Sequence, residues 1–154
     1  MSWIGDLIKA GFESDGVHLR SINSGATISG DNFIKMGTVS TDSTAGALTM
    51  TTAMLKGGFI LRDPNGSGRA DVPPTAALMV AAIPGAKVND SFKFTIRNTA
   101  NASETITVTA GTGTTVSGTM TIAQNATKEF LAVLTNVTSG SEAYTIYSLG
   151  TVVH

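Results

Sequence analysis

From Val88 to Leu149 the chain repeats one pattern of apolar and polar residues in turn, broken at a few places, with threonine the usual polar partner. Phe92, Phe94 and Ile96 alternate with Lys93, Thr95 and Arg97; Ile106 and Val108 with Thr105, Thr107 and Thr109; Met120 and Ile122 with Thr119 and Thr121. A period of two sends every second side chain to the same face of a sheet. β-Branched threonine suits the exposed face of such a sheet and is a poor nucleophile without a base beside it. This half of the chain therefore reads as a stiff, chemically quiet β-domain. That points toward a structural or binding role and away from catalysis.

Punctuation supports the same reading. Five strands are predicted at about 88–97, 103–110, 115–122, 127–135 and 143–149. Turn residues separate them: Asn98-Thr99-Ala100-Asn101, Gly111-Thr112-Gly113, Ala123-Gln124-Asn125 and Thr138-Ser139-Gly140-Ser141. Short strands at this spacing predict an all-β fold, an antiparallel barrel or sandwich. Phe130-Leu131-Ala132-Val133-Leu134 breaks the alternation, as a strand buried on both faces or at a subunit interface would. One short helix is predicted over Thr75–Ile83: Thr75 caps it, alanines with Leu78 and Met79 favour it, and Pro84-Gly85 stops it. Leu78, Ala82 and Ile83 are its expected sheet-facing residues, and the helix caps an open end of the fold.

Upstream, Ala47–Thr51 and Phe59–Leu61 read as two strands joined by a turn at Lys56-Gly57-Gly58. Asp63-Pro64-Asn65-Gly66-Ser67-Gly68 is a strong turn signal, since proline presets φ and Asn-Gly tolerates positive φ. Residues 14–47 are rich in Ser, Gly, Thr and Asn. Segments 17–19 and 34–36 fit short strands there, and an extended arm fits equally well. Residues 2–12 read as an amphipathic helix of a turn or two, with Ser2 as N-cap and Trp3, Ile4, Leu7, Ile8 and Phe12 on or beside the apolar face. So short a helix is unstable alone. It either docks on its own domain or orders on a partner surface. The expected organisation is an arm over 1–15, a β-rich extended segment or small subdomain over 16–73, and a barrel or sandwich over 74–154.

Composition narrows the function classes. The 154 residues are only 14 % charged, with a formal net charge of −1. Nucleic-acid binding needs clustered Lys and Arg, whereas Lys9, Arg20, Lys35, Lys56, Arg62 and Arg69 stand singly. The absence of cysteine excludes disulfides and cysteine-ligated zinc. The longest apolar run, Ala76–Ile83, falls far short of the roughly 20 residues that cross a bilayer. The opening Met1-Ser2-Trp3-Ile4-Gly5-Asp6 has no basic n-region, so the expectation is synthesis without a standard export signal. His18 and His154 lack evident activating partners, and Asp63, Asp71, Glu104, Glu129 and Glu142 show no pairing of the kind a glycosidase needs. Neither Asp63–Gly68 nor Gly111-Thr112-Gly113 has the spacing of a calcium loop or a phosphate cradle. Catalytic residues, cofactor, metal and small-molecule substrate are all expected to be absent.

The run from Pro74 through Ala76-Ala77-Leu78-Met79-Val80-Ala81-Ala82-Ile83-Pro84-Gly85 to Phe92 is distinctive. With it go Phe94-Thr95-Ile96-Arg97-Asn98-Thr99, Thr105–Gly113 and Leu134-Thr135-Asn136-Val137-Thr138. Together they resemble small β-rich virion proteins of tailed bacteriophages, in particular capsid decoration (cement) proteins. The resemblance covers residues 74–149 and describes a capping helix followed by a β-fold. It implies a tulip-like or barrel domain, assembled as a homotrimer on the outer capsid surface of the virion after synthesis in the host cytoplasm. Its partner would be the major capsid protein, whose subunits it would bridge against the pressure of packaged DNA. By the same resemblance Trp3, Ile4, Leu7, Ile8 and Phe12 are the candidate capsid-contact residues. Related β-modules occur on tail fibres and spikes, where the function would be binding a host receptor or glycan.

Overall fold

The computed structural model describes residues 37–154. The expected arm, the strands at 17–19 and 34–36, and the candidate contacts Trp3, Ile4, Leu7, Ile8 and Phe12 lie outside the described residues. Among the described residues, nine strands and two short helices run in the order β1 (Val39–Asp42), α1 (Thr52–Gly57), β2 (Phe59–Arg62), β3 (Arg69–Asp71), α2 (Ala76–Ala81), β4 (Ser91–Asn98), β5 (Ile106–Val108), β6 (Thr114–Ser117), β7 (Thr121–Ile122), β8 (Ala126–Asn136) and β9 (Ala143–Val153). They form a six-stranded sheet in the order β1-β2-β4-β8-β9-β6 and a three-stranded sheet in the order β3-β5-β7. The fold is mostly β, as the alternation predicts.

Two parts of the expectation are corrected. The described strands form two open sheets and no closed barrel. The pairing is also mixed: β1 with β2, β2 with β4, β6 with β9 and β3 with β5 are parallel, while β4–β8, β8–β9 and β5–β7 are antiparallel. Parallel neighbours need a crossover, and α1 lies within the one joining β1 to β2. Residues 39–73 and 74–154 share both sheets, since β2 pairs with β4 and β3 with β5.

The α1 crossover replaces the hairpin expected at 47–62. Thr51 Oγ1 accepts the Met54 N–H at 3.2 Å, and Gly58 closes the helix at φ 91°, its N–H donating to the Leu55 carbonyl at 3.2 Å. The Gly57-Gly58 signal is thus a helix C-cap, where a left-handed residue without Cβ costs least. Of the strand expected at Ala47–Thr51, only a single bridge between Thr49 and Val72 forms.

Helix α2 sits where expected, with Thr75 Oγ1 accepting the Leu78 N–H at 3.3 Å. Its buried face is Ala76 and Met79, three apart, and Leu78 is 59 % exposed, contrary to the predicted facing. The Ala76 N–H donates to the Thr112 carbonyl at 3.0 Å, which seats the helix on the Gly111–Gly113 turn. Gly113 has φ 72°, and a Cβ there would stand 2.7 Å from the Ala76 Cβ.

The predicted strand at 115–122 is divided between sheets. β6 joins β9, Gly118 turns at φ 94°, and β7 joins β5. Within β8 the alternation holds after all. Phe130, Ala132 and Leu134 are buried, and Leu131 and Val133 are half-buried on the opposite face. The strand lies between β4 and β9, and its Phe130 ring stacks on the paired Phe94 with centroids 5.1 Å apart. Both sheets feed one core, with Ile60, Ile96, Phe130 and Ile146 from the larger sheet and Ile106 and Ile122 from the smaller.

At one end of this core the filling is polar. Arg62 is 1 % exposed, and its guanidinium donates to Asp71 Oδ2 (2.9 Å), Asp42 Oδ1 (3.0 Å) and the carbonyls of Thr44 (2.9 Å), Asp63 (2.6 Å) and Gly46 (2.6 Å). Asp71 Oδ1 also accepts the Leu48 N–H at 2.8 Å. Asn98, opposite Arg62 in the register, donates to the carbonyls of Glu104 (2.8 Å) and Ile122 (3.1 Å) and accepts the Ala100 N–H (3.0 Å). Two side chains of the larger sheet thus stitch it to the smaller. Removing one partner of a buried ion pair strands the other. Arg62→Met is therefore expected to lower the unfolding free energy by about 3–5 kcal/mol, measured by urea titration. Arg62→Lys is expected to recover little, because an ammonium cannot reproduce the planar fork.

Candidate functional site

The titratable residues flagged by the sequence do not converge. Asp71 is committed to Arg62, and Asp63 Oδ1 accepts the Asn65 N–H at 2.9 Å in a local turn. Glu104 lies beneath the same loop, its Oε1 accepting the Gly66 N–H at 2.8 Å, while its Oε2 is buried without a hydrogen-bond partner among the described residues. Glu129 pairs with Lys93 on the outer face of the larger sheet at 2.5 Å. His154 shares a 2.9 Å hydrogen bond with the Thr127 hydroxyl, and Glu142 stands in the turn before β9. His18 lies outside the described residues. No group of three or more His, Asp or Glu residues with metal-ligand geometry occurs among the described residues.

Four charged side chains are buried among the described residues: Arg62, Lys128, and Asp71 and Glu104, the last two among acidic residues that by sequence read as solvated surface charges. Lys128 is 3 % exposed and donates its Nζ to the Thr119 carbonyl at 2.6 Å; burial lowers its pKa from the usual lysine value. Arg62 carries the clamp at the polar end of the core. The alternation holds the signal for both: Arg62 is two residues from buried Ile60, and Lys128 lies between buried Ala126 and Phe130 at the same spacing. Tyr144 is also internal, donating its hydroxyl to the Pro74 carbonyl at 2.6 Å. That bond ties β9 to the residue just before the cap of α2.

Open grooves lie on the surface of the described residues. One, of about 590 Å³, is lined by Lys56, Ile83, Pro84, Asp90, Phe92 and Lys93. Its charged groups are already engaged: Lys56 Nζ donates to the Ala82 carbonyl, Asp90 accepts the Lys87 N–H and Lys93 meets Glu129. Another, of about 460 Å³, lies among Met50, Pro73, Leu78 and several threonines and is uncharged.

What the described surface presents most plainly is sheet. The outer face of β4, β8 and β9 aligns Lys93 with Leu131 and Tyr147, and Ser91 with Val133 and Thr145. Beyond it, Leu149, Val152 and Val153 are 48 %, 60 % and 74 % exposed in the last stretch of β9. The arrangement suits contact with another protein surface, where flat apolar strips edged by polar residues are usual.

Comparison of the chain with protein-family models, with curated proteins and with solved structures finds no match.

Tyr144 supplies a pH test of this packing. Burial raises its phenol pKa above the usual value of about 10. Its contribution to stability is therefore complete below pH ~10 and lost as pH rises further, where only the unfolded chain ionises. Tyr144→Phe is expected to cost about 1–3 kcal/mol at neutral pH, by orphaning the Pro74 carbonyl, and to remove this alkaline loss. Urea unfolding of both proteins at pH 7 and above pH ~10 checks it.

Proposed function

We propose that this chain is a structural virion protein that decorates the outside of a tailed-phage head as a homotrimer and holds adjacent major capsid subunits together. One observation carries most of the weight. Buried Arg62, Asp71 and Lys128 are spent on holding strands and loops, and Glu104 holds the Gly66 loop through Oε1, while the surface offers open sheet with apolar residues on it. A protein so organised is suited to covering surface and joining neighbours.

Three further features support it. The segments that resemble decoration proteins, Pro74–Phe92, Phe94–Thr99, Thr105–Gly113 and Leu134–Thr138, supply α2, β4, β5 and the end of β8. The chain has no cysteine, so its stability is independent of redox conditions. The apolar residues Trp3, Ile4, Leu7, Ile8 and Phe12 give a candidate capsid contact, and three such arms in one trimer bind with avidity that one lacks.

Co-sedimentation with expanded shells of the major capsid protein tests the proposal. The full chain is expected to load onto the shells and to raise the temperature at which they disassemble; failure to load would sink the capsid role. Deleting residues 1–12 is expected to leave the oligomer folded and to abolish loading. Unchanged occupancy by the truncated protein would remove the contact assignment.

A further inference from the structure

The larger sheet ends in β1 and β6. β1 is four residues long, has Val39 59 % exposed and has no partner on its outer edge among the described residues. Next to β6, β9 pairs with β8 along its whole length, but β6 covers its second edge only at Tyr144–Tyr147. The chain turns away at Gly118 toward the smaller sheet and leaves the edge beyond Tyr147 bare.

That bare stretch is unusual in a second way. A bulge inserts Leu149 between Ser148, opposite Phe130, and Gly150, opposite Glu129. Bulges bend a strand and re-aim its later side chains. Thr151 and Val153 then lie opposite buried Lys128 and Ala126, yet every residue from Leu149 to Val153 is exposed. The described residues cover this flange on neither face and on one edge only. It carries no charge and no proline, the usual devices that keep an edge from pairing. β1 has one charge, Asp42, and that side chain is turned to Arg62.

We propose that copies of this chain join head to tail, the Gly150–Val153 edge of one adding as a strand to the Val39–Asp42 edge of the next, and that three such joints close a ring. The two segments match in length. Backbone N–H and C=O groups at a sheet edge accept only another extended strand in this way. Pairing of two β9 flanges about a two-fold axis would leave the β1 edge of each copy bare, whereas one head-to-tail joint repeated round a ring occupies both the β1 edge and the β9 flange of every copy. The joint rests on the homotrimer in the proposed function and is independent of the capsid contact.

The test is the mass of the full chain in solution, with two variants at exposed positions. Wild type is expected to have the mass of three chains. Val39→Lys and Val152→Lys are each expected to show a threefold drop to monomer with an unchanged far-ultraviolet spectrum. Because the chain lacks cysteine, the joint can also be trapped. The double variant Val39→Cys with Val152→Cys, treated with a flexible thiol cross-linker, is expected to link up to three chains, and neither single variant to link at all. A monomeric wild type, a Val39→Lys protein that stays assembled, or cross-linking of Val152→Cys alone would each overturn the joint. Capsid loading by a monomeric wild type would do so while leaving the capsid contact standing, which separates the two failures.

Discussion

The Arg62 guanidinium is the point on which the described fold depends. Its contacts reach β1 through Asp42, the loop after β1 through Thr44 and Gly46, and β3 through Asp71. It therefore fixes two stretches separated in sequence, residues 42–46 and β3, around the end of β2. Hydrophobic burial is non-directional and would tolerate several arrangements of short strands. A planar fork whose donors all find acceptors tolerates far fewer. Desolvating the charge is costly, and apolar replacements of such clusters are often as stable. What the cluster adds here is registry: a one-residue slip of β2 would exchange Arg62 for Leu61 on the inner face and leave Asp71 buried without its cation.

The same constraint explains how short parallel strands survive. β1 and β2 pair over four residues each and β3 and β5 over three, lengths at which backbone ladders alone are weak. Arg62 and Asn98 stand side by side at the end of β2 and β4, and each reaches across to the smaller sheet or its flanking loops. The polar end thus does for the short strands what the stacked Phe94 and Phe130 do for the long antiparallel ones.

Much of this architecture is legible in the sequence because alternation reports burial directly. Phe94, Ile96, Ile106, Val108, Met120 and Ile122 are all inside, on the face the pattern assigns. The partners of those strands are not legible, because a period of two is the same in parallel and antiparallel sheets. Glycine accounts for the two clearest departures. Gly57-Gly58 fits a hairpin turn or a helix C-cap, and only the Thr51 cap, six residues upstream, favours the helix. Gly118 sits inside what reads as one strand and moves the chain from one sheet to the other. Arg62 and Lys128 depart from expectation for a different reason. Charge ordinarily signals exposure, although the residues two positions away place both on the inner face. As for the candidate site, Trp3, Ile4, Leu7, Ile8 and Phe12 lie outside the described residues, so the legible portion is the sheet that any partner would meet.

Charge is distributed in this molecule against the usual pattern. A chain with few charges ordinarily keeps them on the surface, where hydration is cheapest. Here Arg62, Asp71, Glu104 and Lys128 are inside, while the last stretch of β9, exposed on both faces and with one edge bare among the described residues, has none. Interior charge sets the register of a mixed sheet that burial alone would leave loose. Placed on the flange, the same charges would repel an approaching neutral strand and would have to be desolvated when it docked. Under the proposed head-to-tail joint, keeping ionic groups where strands must not slip, and leaving them out where a strand would join, meets both requirements with a single sheet. On that view the uncharged flange is a consequence of assembly, as the buried arginine is a consequence of parallel pairing.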